Sequence, residues 1–201
     1  MCGRYENVFP QEEIFPFLEQ SFIDKMSEWK PTVRKIKTEN IAPTDRIIAF
    51  NNQGKGLQPL EVNWGIKFKA DSPLIFNSRI ETVKEKPYWK SLFKKNKLLI
   101  PMTGFYEWKL EGKKKVPYKI WLPDHKLFFV PALFTPIDGN VHASFITTEP
   151  NEFMTNVHKR MPVILTTDYI EKFFSNTIEE NLELCKPLSD AEPMEMEPAN
   201  I

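Results

Sequence analysis

The chain is short of the residues that usually announce a function. Its 201 residues hold only two cysteines, Cys2 and Cys185. Two are too few for the disulfide framework of a secreted scaffold, and they cannot by themselves build a zinc site. A single bridge between them stays open. The three histidines, His125, His142 and His158, show no metal-ligand spacing with either cysteine, so no metal and no other cofactor is expected. No hydrophobic run approaches the roughly 20 residues of a membrane span. The N-terminus lacks the basic-then-apolar pattern of a secretion signal. The expectation is a cytoplasmic protein with no membrane partner. Net charge is missing too, because 27 basic residues balance 27 acidic ones. That removes any global electrostatic argument for nucleic acid and leaves only local patches.

The balance is uneven along the chain. From Ser189 to Ile201 there are four acidic residues and no basic one, so the remainder is mildly basic. This acidic, proline-bearing tail, 186–201, is expected to be loosely held beside a single domain, 1–185. Hydrophobic content of 41% suffices for a core in a chain of this length. Helical spacing of Ile14, Phe17, Leu18 and Phe22 predicts a helix over Gln11 to Asp24. Strands are predicted at Arg46–Phe50, Glu61–Phe68, Leu98–Met102, Phe105–Leu110, Val116–Leu122, Leu127–Leu133, Ala143–Thr147 and Pro162–Leu165. Helices are expected within Phe76–Lys86 and at Tyr88–Lys94, Asn151–Val157, Asp168–Phe174 and Thr177–Cys185. Short helices mixed with a meandering sheet argue for an α+β fold.

What is present is a cysteine at position 2, in Met1-Cys2-Gly3-Arg4-Tyr5. Removal of Met1 would give Cys2 a free α-amine beside its thiol. The amine has a reference pKa of about 7.7–8.0, so some of it is nucleophilic at neutral pH. Such a pair traps aldehydes: the amine forms a Schiff base, and the sulfur closes a five-membered thiazolidine. An internal cysteine cannot do this, because its nitrogen is an amide. Chain ends are usually frayed and uninformative, so position alone does not establish the chemistry.

Five further segments matter beside Cys2: Asn40-Ile41-Ala42-Pro43-Thr44, Asn77-Ser78-Arg79-Ile80-Glu81-Thr82, Gly104-Phe105-Tyr106-Glu107-Trp108, Thr147-Thr148-Glu149 and His158-Lys159-Arg160-Met161-Pro162. In this order and approximate spacing, from Cys2 to about Leu165, the chain resembles the SOS-response-associated peptidase (SRAP) family. The resemblance implies a compact α+β domain with a partly closed, mostly antiparallel β core and peripheral short helices. It also implies binding of single-stranded DNA and covalent capture of abasic sites through the N-terminal cysteine. DNA-damage partners such as replication-associated proteins, and a nucleoid location when bound, come with it.

By the same resemblance Cys2 is the nucleophile, and Asn77, Glu107 and His158 are its catalytic companions. Asn77 can orient the amine or hold a sugar hydroxyl, or it can simply cap a helix. Glu107 stands in an aromatic strand, sharing a face with Phe105, while Tyr106 and Trp108 take the other. Such a carboxylate has a raised pKa and shuttles protons if buried, or it is a surface glutamate if not. His158 titrates near neutral pH or is structural. Arg4, Arg79 and Arg160 would grip phosphates. Trp108 and Pro43 would stack against bases, with Thr148 beside them on the DNA path. The Lys113-Lys114-Lys115 run reads as a solvated turn or as an extension of that path. The family's second tryptophan after Trp-Gly is absent here, where Trp64-Gly65 leads to Ile66-Lys67-Phe68, and Phe68 is the substitute on offer. Two other functions compete with abasic-site capture. One is a Cys2-dependent peptidase, including self-removal of Met1. The other is a single-stranded DNA binding module with an inert cysteine.

Overall fold

A computed structural model describes residues 2–8, 37–52 and 56–201. The helix expected over Gln11 to Asp24 lies outside them. Two sheets and a set of short helices make up the described chain. The smaller sheet has the order β1 (Arg4–Glu6), β6 (Gly104–Glu111), β7 (Lys114–Trp121), β11 (Glu195–Pro198). The larger sheet joins β10 (Met161–Pro162), β9 (Asn140–Thr148), β3 (Leu57–Trp64), β2 (Arg46–Asn52), β5 (Lys97–Met102) and β8 (Phe128–Ile137), with β4 (Asn77–Arg79) also pairing β9. Strand β8 pairs back onto β9, so the large sheet curls on itself. Between β2 and β5 the described residues form a single pair, Phe50 with Leu99. The curl therefore stops short of a closed barrel. The architecture is α+β and mostly antiparallel, as the order of elements implied.

Strand alternation sends side chains to two cores. In β5, Leu98, Ile100 and Met102 join the cluster that holds Cys2, Tyr5, Phe105 and Ile120. Leu99 points the other way, to a cluster built with the helices α1 (Ile80–Glu85), α2 (Pro87–Lys95) and α4 (Ile170–Ser175), which contribute Val83, Phe93 and Phe173. The described residues also form α3 (Glu152–Thr155), α5 (Ile178–Leu184) and a 3-10 turn at Thr167–Tyr169. Cys2 and Cys185 sit in different clusters and both are free thiols, so the bridge left open by the sequence is not made.

Three element boundaries differ from expectation for local physical reasons. The strand expected over Glu61–Phe68 runs Leu57–Trp64 and stops at Gly65. Gly65 has φ +124°, a conformation closed to most side chains, and a Cβ there would come within 2.6 Å of Leu74. Phe68 is consequently outside the strand and 46% exposed. The helix expected within Phe76–Lys86 begins only at Ile80, because Asn77–Arg79 pairs in parallel with Phe145–Thr147 of β9. The acidic tail is not loosely held. It pairs with β7, Met196 opposite Ile120 and Glu197 opposite Lys119, and Met194 is only 9% exposed in the Cys2 cluster.

The tail also supports the chain just before His158. Asn151 caps α3 by accepting from the Met154 N–H at 3.0 Å, and its own amide donates to the Leu188 carbonyl at 3.3 Å. The Asp190 carboxylate accepts from the Glu152 N–H at 2.9 Å. Replacing Met194 with alanine is therefore expected to cost about 2–5 kcal/mol, the usual range for a truncated core methionine. Denaturant unfolding checks this. A loss below about 0.5 kcal/mol, typical of an uncommitted surface, would mean the tail is not part of the core.

Candidate active site

The N-terminal strand is where the site is built. Tyr5 exchanges backbone hydrogen bonds with Ile41 at 3.1 and 2.9 Å, and β1 pairs antiparallel with β6, Arg4 opposite Tyr106. The Tyr5 ring meets Trp64 and Phe145 edge-on, at centroid distances of 5.4 and 5.7 Å, while those two stack on each other at 4.4 Å. This aromatic anchor holds the chain end in the core, and Cys2 is 0% exposed. Burial first, then the charge of Glu107, pushes the Cys2 thiol well above its ordinary pKa, so it is protonated at neutral pH. Its Sγ lies 3.5 Å from the Arg4 carbonyl, onto which it donates.

Asn77 reaches this strand from β4. Its amide donates to the Cys2 carbonyl at 2.9 Å. The helix that follows is capped by Arg79, with no side-chain cap bond, so Asn77 does not serve as the helix cap. Its Oδ1 is buried without a hydrogen-bond partner among the described residues.

Glu107 comes from β6, two residues beyond the pairing with Tyr5. It is 2% exposed, on the inner face with Phe105. Burial raises its pKa from 4.5 to about 7, so it can give up or take a proton near neutrality. His158 Nδ1 lies 3.9 Å from Glu107 Oε1. That same Nδ1 faces the Arg160 backbone, 3.1 Å from its N–H and 3.2 Å from its carbonyl. Burial is the largest cause lowering the His158 pKa, and the charges of Lys115 and Lys159 act in the same direction. Four residues separated by up to 156 positions in sequence thus meet at one place: Cys2, Asn77, Glu107 and His158.

The residues expected to contact DNA fare differently. Arg79 is exposed, and Arg4 is half-buried with its Nη1 donating to the Gly3 carbonyl at 2.9 Å. Arg160 does not stand open as a phosphate grip. Its two terminal nitrogens donate to the Glu81 carboxylate at 2.9 and 3.0 Å, and Nη2 also to the Thr147 carbonyl at 2.8 Å. That forked bond, foremost, lowers the Glu81 pKa. Thr148 is buried in β9 opposite Met161. Pro43 and Trp108 are half-buried, Pro43 in a turn closed by the Asp45 N–H on the Ala42 carbonyl at 3.0 Å. Thr44 in that turn has φ +80°, strained for a β-branched residue. His142 Nδ1 donates to the Gly65 carbonyl at 2.9 Å, and His125 pairs with Glu192, so both are structural.

Two participants carried no role in the sequence reading. Glu81 stands inside a quoted segment, but nothing in the sequence tells that Arg160, 79 residues away, will meet it. Tyr5 is the second: its hydroxyl is buried with no partner among the described residues, and burial raises its pKa well above the ordinary value.

With this geometry in view, the comparisons with known proteins decide the family. A sequence profile described as SOS response associated peptidase (SRAP) matches residues 1–200. The chain belongs to the SRAP family. Among curated relatives, abasic site processing protein YoaM of Bacillus subtilis is 32% identical, over 97% of this chain and 89% of its own. Abasic site processing protein YedK of Escherichia coli is 25% identical, over 89% of this chain and 81% of its own. Two crystal structures share the fold. A Bacteroides thetaiotaomicron protein superposes with a TM-score of 0.76 at 22% identity, covering 99% of this chain and 92% of that one. A Bordetella bronchiseptica protein gives 0.79 at 15% identity, with full coverage of both. Among the described residues, no helix is long and apolar enough to cross a membrane.

The Glu107 carboxyl has a consequence for stability that can be measured without substrate. Folding raises its pKa, so the folded state keeps a proton that the unfolded chain loses between pH 4.5 and about 7. Stability is therefore fully present below 4.5 and falls as pH rises through about 7. The full loss is about 3 kcal/mol, at 1.36 kcal/mol per pKa unit. Glu107→Gln should remove this fall. Urea titrations of both proteins at pH 4 and pH 8 check it, and equal pH dependence in the two would show that Glu107 does not carry the effect.

Proposed function

We propose that this SRAP protein binds single-stranded DNA at abasic sites and captures the sugar aldehyde covalently through Cys2. The observation that carries this reading is the meeting of the second residue of the chain with a buried carboxyl whose pKa lies near 7. The printed names of its relatives, abasic site processing proteins, favour the same target.

The steps follow from the groups present. Loss of Met1 frees the Cys2 amine. That amine adds to C1′ of the ring-opened abasic sugar to give a carbinolamine. Protonated Glu107 supplies the proton with which hydroxide leaves as water, and a protonated Schiff base remains beside the Glu107 carboxylate. The Cys2 sulfur then adds to the iminium carbon, its proton returns to the Glu107 carboxylate, and a neutral thiazolidine closes. One water is released overall, and no oxidant or reductant is needed. Burial keeps the thiol protonated until this step, so Glu107, by then a carboxylate, is the base placed to relay its proton. His158, held at Nδ1 by the Arg160 backbone, turns its other ring nitrogen to the sugar oxygen, and the Asn77 amide fixes the Cys2 backbone so that amine and thiol share one target.

Arg79 and Arg4 take flanking phosphates in this reading, and Trp108 and Pro43 stack beside the lesion, with Thr148 lining the path. Arg160, tied to Glu81, orients His158 through its backbone N–H. The protein acts in the cytoplasm, on nucleoid DNA where replication-associated proteins expose single strands. Self-removal of Met1 is the peptidase activity the site serves best. A protonated, fully buried thiol suits an intramolecular substrate better than a foreign chain.

Capture is tested with oligonucleotides carrying one abasic site, read by denaturing gel and intact mass. Processed protein should give an adduct at its own mass plus the oligonucleotide minus one water. Protein retaining Met1 should give none, and thiazolidine from such protein would overturn the mechanism. Cys2→Ala should lose the heat-stable adduct but keep DNA binding. If the stable adduct is undiminished, another residue is the nucleophile. Glu107→Gln should slow capture by about 10²–10⁴-fold, the usual worth of general acid–base help, at nearly unchanged DNA affinity.

A further inference from the structure

Strands β6 and β7 continue past the site as a two-stranded ribbon. Residues 110–115 are exposed, and a Cβ built on Gly112 at the tip meets nothing within 4 Å. The ribbon therefore projects from the body. Directly opposed residues share a face. Trp108 lies opposite Pro117, and Leu110 opposite Lys115. One face thus runs from half-buried Trp108, next to Glu107, out to Leu110, which at 65% is the most exposed large apolar side chain described. The charge along the ribbon is one-sided. Lys109, Lys113, Lys114 and Lys115 stand against one carboxylate, Glu111, whose Oε1 accepts from the Tyr118 hydroxyl at 2.6 Å. The Lys115 charge is felt by His158, which keeps the ribbon within electrostatic range of the site.

The site itself is in need of such cations. With Arg160 bound to Glu81, one of the three arginines expected on the phosphates is already neutralised. We propose that the β6–β7 ribbon is an additional nucleic-acid contact. Lys113, Lys114 and Lys115 take phosphates of the single strand leaving the site, and the Leu110 side chain packs against its bases beyond Trp108. This rests on the abasic-DNA reading above, and it extends the bound length beyond the nucleotides that the site can touch. A solvated turn needs no projecting apolar residue. An apolar side chain between aromatic and lysine neighbours fits a strand that carries bases and phosphates in alternation.

The test uses processed full-length protein and fluorescence anisotropy. The probes are single strands of 6 and 20 nucleotides, each with a central tetrahydrofuran residue that mimics the abasic sugar but has no aldehyde. A triple variant, Lys113→Gln, Lys114→Gln and Lys115→Gln, should bind the 20-mer at least about tenfold more weakly at low salt. Its log–log salt slope should flatten by about 2, at roughly 0.7 per phosphate. For the double variant Lys113→Gln and Lys114→Gln, binding of the 6-mer and capture of an aldehyde-bearing 6-mer should stay at wild-type levels. Lys115→Gln alone should flatten the slope by about 0.7 and serves if the triple variant fails to fold. An unchanged slope and affinity on the 20-mer, in a wild-type protein that does capture abasic DNA, overturns the ribbon alone. A wild-type protein that neither binds nor captures overturns the abasic reading and this inference with it.

Discussion

Everything at the site depends on holding a chain terminus still. Ends of chains fray because they have few contacts to offset their conformational entropy. Here the second residue is completely buried, and the strand that follows is bonded on both sides, to β6 and to Ile41. The anchor is Tyr5, packed edge-on against the stacked Trp64–Phe145 pair. Aromatic groups of this kind add packing energy beyond their buried area. Asn77 then fixes the last degree of freedom by bonding the Cys2 carbonyl. A nucleophile on an unanchored terminus would have to find its partners anew at each encounter, whereas proximity held in advance removes that entropic cost from the reaction.

The same burial sets the protonation states. Excluding water raises the Cys2 thiol and the Glu107 carboxyl together, and the negative charge of Glu107 raises the thiol further. The result is a pair of groups that both hold protons near neutrality. That is unfavourable for folding at alkaline pH, and it is a stability cost located at the site. Neutral His158 completes the set, because burial and nearby cations act against a charged ring. The arrangement suits proton transfer among neutral groups more than the thiolate–imidazolium pair of a conventional cysteine peptidase.

The site is also supported from the far end of the chain. Asn151, Glu152 and Met194 link α3 and the tail strand, so the segment that delivers His158 is braced by residues after position 187. Arg160 locks the other side of that segment onto Glu81 at the start of α1. A forked salt bridge from a half-buried guanidinium is directional, and it ties the segment that carries His158 to α1 rather than adding an open positive charge.

How much of this was legible in the sequence follows from which physical signals are local. Alternating apolar residues located most strands within a few positions. The Lys113-Lys114-Lys115 run marked the turn between β6 and β7, and six short segments in order pointed to the family. Those signals need only the residue and its neighbours. Gly65 could not show that it ends a strand, because the reason is the Leu74 side chain nine residues on. The tail's composition read as loose, because Met194 and Met196 gain their stability only when β7 is there to pair with. Arg160 read as a free cation until Glu81 was placed beside it. The sequence by itself determined which chemical groups exist, above all a cysteine that processing can make terminal. Only the tertiary structure decided which of those groups are buried, and therefore which hold protons and which meet solvent, because solvation and pairing depend on neighbours that the chain brings together from far apart.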